Sequence, residues 1–281
     1  MQLPTQIAPG IHALGDEKRG QVRAFLVEDE KTKDLTLIDT LSEEHPFHIL
    51  AAIRSLGRSI SDLKRIWVTH AHYSHLVGLA ALKELSGARV GAHKWEVDIV
   101  ERKREAQRVP ILPRPPLGAY IPFQLGLALG IGKHRRCKVD DILAAGHESG
   151  GLTVYHTPGH TPGHLAFWSK RHHVLLAGDA IVTWPYLAAG WDSFSLNEDE
   201  RWDSFRQMVG LDPKVVGVGH GDPIKDDVAG KLSYLLEGAP PRATPARARA
   251  RTSPAARAAT IFPFCSKRSR ARWISEIASS L

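Results

Sequence analysis

The sequence predicts an α/β protein in which two β-sheets pack on each other and helices cover their outer faces. Three observations carry this expectation. Strand-like and helix-like segments alternate in both halves of the chain. The strand-like segments are short apolar runs of the kind that become buried strands, and two packed sheets under helices would bury them well. No short-period repeat is present, and no run of about 18 apolar residues is long enough to span a membrane.

The elements follow in order. "VRAFLVEDE" and "DLTLIDT" are β-rich runs on either side of the turn-like "KTKD", a predicted hairpin. "SEEHPFHILAAIRSLG" opens with Ser42, Glu43 and Glu44 and closes on Gly57, as a helix does. "LKRIWVTH" reads as a buried strand, and "SHLVGLAALKELSG" as a helix ending at Gly87. "ARVGAH" is a further strand and "KWEVDIVERKREA" a further helix. Residues 107–134, rich in proline, glycine and apolar side chains without periodicity, read as a covering insertion. Strands resume with "GLTVYHTPG", "HLAFWS" and "HHVLLAGD". A helix at "NEDERWDSFRQMVG", a strand at "KVVGVGH" and a helix at "DDVAGKLSYLLEG" complete the body.

Residues 1–238 are therefore expected to form one domain and residues 239–281 a basic, disordered tail. The net charge of +7 belongs to that tail, where nine Arg and Lys residues face the single acid Glu276. With the body close to neutral, a nucleic-acid-binding role for the whole chain loses its main support. Hydrophobic residues at 43% and charged residues at 24% are close to the average for soluble globular proteins. Only Cys137 and Cys265 are present and no export signal is visible, so a reducing cytoplasm is expected.

Candidate ligands gather where strands end. In "VTHAHYSHLVG", His70 and His72 lie two apart, so both side chains project to the same side. His75 opens the following helix and can close on the same point. "HTPGHTPGH" places His160 in a Pro/Gly turn, "LLAGDA" places Asp179 at a strand end, and "VGVGHGD" places His220 at another. Any one of the 15 histidines is more often a surface or core residue than a ligand. Five of them with one aspartate, all at strand tips, are not easily assembled by chance. Imidazole and carboxylate donors of this kind suit zinc or another borderline first-row metal.

These motifs, in this order and spacing, resemble the metallo-β-lactamase-fold hydrolase superfamily over roughly residues 8–237. The resemblance implies a four-layered αββα sandwich with a metal pair at one edge of the sheets. It implies that His70, His72 and His160 bind a first metal, that His75 and His220 bind a second, and that Asp179 bridges them. Asp39 in "LIDT" matches an aspartate that supports the site from outside, with a plain turn residue as the alternative. The departure is Ser74, where the family pattern has an Asp ligand of the second metal. A metal pair with a weakened second site, a one-metal catalyst and a non-catalytic relic all follow from that change. One or two Zn²⁺ ions per chain are expected, with Mn²⁺, Co²⁺ or Fe²⁺ as alternatives.

The expected reaction is hydrolysis of a lactone or carboxylic ester, such as an acyl-homoserine lactone, by a metal-bound hydroxide. Its partner would be a small acyl substrate, with no membrane involved. Asp179, if left free by an empty second site, could act as general base, and Tyr120 and Tyr186 are candidates to donate to the developing oxyanion. The apolar insertion would suit an acyl or aromatic group. A glyoxalase II-like thioesterase and a β-lactam hydrolase are the alternatives within the superfamily. From another class comes a catalytically impaired binding protein that uses its basic tail. His164 is expected to pack or bond near the turn, and His93 to bond behind the site or play no part in it.

Overall fold

A computed structural model describes residues 3–15, 21–106, 121, 125 and 134–241. The chain up to Pro240 forms one compact unit. Tyr120, most of the 107–134 insertion and the tail from Arg242 lie outside the described residues.

Seven strands make the first sheet, in the order β1 (Thr5–Ala8), β2 (Ile11–Gly15), β3 (Arg23–Glu28), β4 (Leu35–Ile38), β5 (Leu63–Trp67), β6 (Arg89–His93) and β7 (Asp141–Leu143). β1 to β4 run as an antiparallel meander, and β4 to β7 are parallel. Parallel neighbours need crossovers. Helix α1 (Phe47–Ser55) lies between β4 and β5, and α2 (Tyr73–Leu76) and α3 (Leu79–Ser86) lie between β5 and β6. The short α4 (Val97–Val100) follows β6. Five strands make the second sheet: β8 (Glu148–Ser149), β9 (Leu152–His156), β10 (Leu165–Ser169), β11 (Val174–Leu176) and β12 (Val215–Gly217). Helices α5 (Glu198–Val209) and α6 (Val228–Glu237) flank β12 in sequence.

Alternating side chains of each strand divide the core into layers. Phe25, Val27, Ile38 and Trp67 of the first sheet meet Val154, Leu165, Phe167 and Leu176 of the second. Trp67 stacks on Phe167 with ring centres 5.4 Å apart. On the other face of the first sheet, Leu26, Leu37, Ile66 and Val90 pack with Ile49 and Ile53 of α1 and Leu79 and Leu82 of α3. Behind the second sheet, Trp168, Leu175 and Val216 pack with Phe205 and Met208 of α5 and Leu232 of α6. The result is the expected helix–sheet–sheet–helix sandwich.

Three helices differ from expectation. The helix expected from Ser42 begins at Phe47, with Pro46 at its N-cap. A proline disfavours the helical conformation in the residue before it, so the helix starts after it. The helix expected from Ser74 to Gly87 is broken into α2 and α3 around Gly78. There the His75 carbonyl accepts bonds from the Thr40 amide (3.1 Å) and hydroxyl (2.8 Å). A Cβ on Gly78 would lie 2.9 Å from the Thr40 carbonyl, so glycine permits that approach. The helix expected over 94–106 is reduced to the four residues of α4. Two other ends follow the local signals: Gly87 closes α3 in the left-handed conformation, and the Asn197 side chain caps α5.

Candidate metal centre

The parallel pairing of β4 and β5 brings Asp39 beside the Thr69–His70 segment. Asp39 donates its amide to the Trp67 carbonyl (2.9 Å) and receives the Thr69 amide on Oδ1 (2.8 Å). It holds φ +60°, a left-handed conformation that aspartate tolerates better than most residues. The Thr69 hydroxyl donates to Asp39 Oδ2 (2.7 Å) and, its one proton committed, accepts from His70 Nδ1 (2.9 Å). His75 Nδ1 donates to the same Oδ2 at 3.0 Å. An ionised carboxylate can only accept, so this chain of bonds sets the proton on Nδ1 of both rings. Each Nε2 is left to face the site.

Those nitrogens converge on Asp179. His70, His160 and His220 place Nε2 at 3.7, 3.4 and 3.4 Å from its Oδ2, and His75 Nε2 lies 3.4 Å from Oδ1. His72 Nδ1 is 3.0 Å from His160 Nε2. The donor atoms fall into two groups, each with all members within 4.8 Å of one another. One is His70, His72, His160 and Asp179, and the other is His75, Asp179 and His220. Asp179 is common to both. His72 is half-buried and the other five are buried.

Local structure explains how Asp179 and His220 reach this point. Asp179 lies in a 3-10 turn, Gly178–Ala180, directly after β11. Its amide donates to His164 Nε2 (3.2 Å), and His164 Nδ1 donates to the Thr157 hydroxyl (2.8 Å). His164 thus holds the backbone of a candidate ligand. Gly219 is pressed against the carboxylate: a Cβ there would lie 1.9 Å from Asp179 Oδ1. The His220 carbonyl accepts from the Thr183 and Trp184 amides (3.0 and 3.3 Å), and the Trp191 ring lies 4.6 Å from its imidazole. Buried Arg23 donates Nε to the Gly221 carbonyl (2.8 Å) and pairs with Asp222, tying this loop to β3.

The electrostatics divide the histidines. Burial holds His70 and His160 well below the usual imidazole range, with help from neighbouring rings. Burial likewise pushes His72 down to about 4 and His164 to about 3. His75 goes the other way. Burial opposes its charge, but Asp179 and Asp39 outweigh it and raise the ring to about 10. Asp179 stays ionised well below the normal carboxylate range because His220, His75 and His70 overcome the cost of burial.

Four buried polar atoms of the cluster have no hydrogen-bond partner: His70 Nε2, His75 Nε2, His160 Nδ1 and Asp179 Oδ1. Buried polar groups are normally satisfied, and those that are not call for an explanation. Imidazoles around a carboxylate are the donor set of a divalent borderline metal, so the residues fit such an ion, with His75 giving up its second proton on binding. Ser74 is half-buried in α2 immediately before His75, where it supplies a neutral hydroxyl and no charge.

Tyr186 is 47% exposed and is not among the residues of either group. His93 stacks on His156 with ring centres 4.5 Å apart and accepts from the Trp95 amide, also outside both groups. Thr69 and Thr157 were not legible as orienting residues. Their one local signal is that Thr69 adjoins His70 and Thr157 opens the turn that carries His160.

Residues 18–220 match the profile of the Metallo-beta-lactamase superfamily. Among curated relatives, the uncharacterised protein YobT of Bacillus subtilis is 27% identical over 212 residues, covering 71% of this chain and 83% of YobT. A hydroxyacylglutathione hydrolase of Cereibacter sphaeroides is 28% identical over 193 residues, covering 69% of this chain and 59% of that protein. The match thus spans about six-tenths of that hydrolase's length. Among solved structures, a metallo-beta-lactamase family protein from Thermus thermophilus superposes with a TM-score of 0.59 at 24% identity, covering 83% of this chain and 80% of that one. TTHA1623, solved in a di-iron-bound form, gives 0.58 at 24% identity, covering 82% of this chain and 98% of that one. No described helix is long and apolar enough to cross a membrane.

Proposed function

Because the chain belongs to the metallo-β-lactamase superfamily, whose members are metal-dependent hydrolases, we propose that it hydrolyses a lactone or carboxylic ester at the Asp179-centred cluster. In this reading His70, His72 and His160 hold one divalent metal ion. His75 and His220 hold a second, more weakly because Ser74 replaces an anionic ligand, and Asp179 serves both. The observation that carries the reading is that one buried carboxylate faces four imidazole nitrogens at 3.4–3.7 Å while several of those atoms lack partners. Zinc is the proposed metal. The di-iron form of TTHA1623 makes iron the alternative to test.

When bound, the metal supplies Lewis-acid activation of water and of the scissile carbonyl. The chain's own residues do the rest. Asp39 and Thr69 keep the Nε2 lone pairs of His75 and His70 aimed inward. Where the second group stays empty, Asp179 Oδ1, buried and without a hydrogen bond, is the proposed acceptor for a proton of the attacking water. Trp184, Trp191 and Phe194 form an apolar cluster beside His220, which suits an acyl group in the substrate. Tyr186, in the loop between Trp184 and Trp191, is the proposed donor to the oxyanion and would have to approach from its exposed position.

Elemental analysis of purified protein, with assays on acyl lactones, p-nitrophenyl esters and a thioester, tests the reading. Hydrolysis of lactones or esters that tracks metal content is expected. Protein that stays inert after zinc, manganese, cobalt and iron loading would refute it and favour a binding role. Similarity to a hydroxyacylglutathione hydrolase supports thioester hydrolysis as the second reading, which a dominant rate on the thioester would select.

A further inference from the structure

Glu96, the residue before α4, is 1% exposed. Its Oε2 accepts from the Ala71 amide (3.2 Å), and its Oε1 accepts from the Thr161 hydroxyl (2.6 Å) and the Gly163 amide (3.1 Å). Ala71 is the residue between His70 and His72, and Thr161 follows His160. One carboxylate thus binds both turns that carry the first ligand group, through groups that are not ligands themselves.

The chemistry of this position is restrictive. All three partners donate, so an amide in place of the carboxylate would turn one acceptor into a donor facing a donor. Space is equally restricted: a Cβ on Gly163 would lie 2.7 Å from Glu96 Cγ and Oε1. Burial pushes the carboxyl upward, against the pull of its three donors. A buried charge persists at such a cost only when its surroundings satisfy it.

We propose that Glu96 is a positioning residue that fastens the His70–His72 turn to the His160–Gly163 turn, fixing the mutual placement of the three imidazoles of the first ligand group. This rests on the reading of that group as a metal site. A ligand set held loosely binds metal less tightly, and loss of an orienting partner typically costs about 10–100-fold in metal affinity.

The test measures Zn²⁺ affinity of the full chain by chelator competition for wild type, Glu96→Gln, Thr161→Val and Thr161→Ser. Far-UV circular dichroism reports folding, and the visible spectrum of Co²⁺-loaded protein reports ligand geometry. Glu96→Gln should fold, bind Zn²⁺ about 10–100-fold more weakly and show an altered Co²⁺ spectrum. Thr161→Val should lose affinity several-fold while Thr161→Ser, which keeps the hydroxyl, matches wild type. A folded Glu96→Gln with wild-type affinity and spectrum overturns the proposal. If Glu96→Gln fails to fold, the threonine pair decides: Thr161→Val equal to wild type overturns it, and loss restored in Thr161→Ser supports it. Wild-type protein that binds Zn²⁺ but hydrolyses no substrate refutes the hydrolase reading and leaves this proposal standing. Wild-type protein that binds no divalent metal overturns both.

Discussion

Asp39 Oδ2 accepts a hydrogen bond from His75 Nδ1 at 3.0 Å across a sequence separation of 36 residues, and the same oxygen accepts the Thr69 hydroxyl that in turn orients His70. One side chain therefore keeps the Nδ1 proton in place on a histidine in each ligand group.

Replacing Asp39 with Asn tests this arrangement. Asn keeps the size and tolerates the positive φ, but it puts an NH₂ where one oxygen accepts. If that NH₂ faces His75, the ring must move its proton to Nε2, blocking the lone pair aimed at the site. Metal affinity should fall about 10–100-fold with the fold retained, as read by chelator competition and circular dichroism.

Stability of the metal-free protein should peak near neutral pH, and the sign can be worked out group by group. His72 and His164 have folded values of about 4 and 3, below the ordinary 6.5, so the unfolded chain binds more protons. Their contribution is fully present above pH 6.5 and is lost as pH falls toward 4 and 3. His75, raised to about 10, contributes below pH 6.5 and loses that contribution as pH rises through 10. Urea unfolding in the presence of a chelator, from pH 4 to pH 10, should give a maximum near pH ~7. Metal loading should release the His75 proton, which calorimetry in buffers of different ionisation enthalpy detects.

Asp179→Asn removes the carboxylate shared by both groups. Turnover should fall about 10²–10⁴-fold, the range for losing a proton-transfer group, and metal content should fall with it. Turnover within tenfold of wild type at full metal loading would remove Asp179 from the proposed chemistry.

Ser74→Asp adds an anionic oxygen next to His75. It should raise the metal bound per chain toward two and strengthen the weaker step of a zinc titration. An unchanged titration would show that Ser74 does not limit the second group.

Gly219→Ala tests the closest packing in the site. The added methyl would sit 1.9 Å from Asp179 Oδ1, so the carboxylate or the His220 loop must shift. Metal affinity and activity should fall by at least about tenfold while the apolar core, which this position does not join, keeps the fold.

Taken alone, the sequence determined which candidate ligands follow the strands and in what order: His70, His72, His75, His160, Asp179 and His220. It also determined the alternation of strands and helices, because short apolar runs and helix-closing residues such as Gly87 are local signals, while the αββα layering was what the family resemblance implied. It did not reveal β1, β2, β7 and β8, whose segments carry no sustained apolar run. Nor did it show the break between α2 and α3, which depends on Thr40 of a different strand end claiming the His75 carbonyl. The tertiary structure decided how the candidate ligands are held. Asp39 reaches His75 across 36 residues, Glu96 reaches Thr161 across 65, and His164 supports the amide of Asp179. Strand pairing brings the first and last of these bonds together and the packing of the two sheets the second, and no spacing along the chain encodes them.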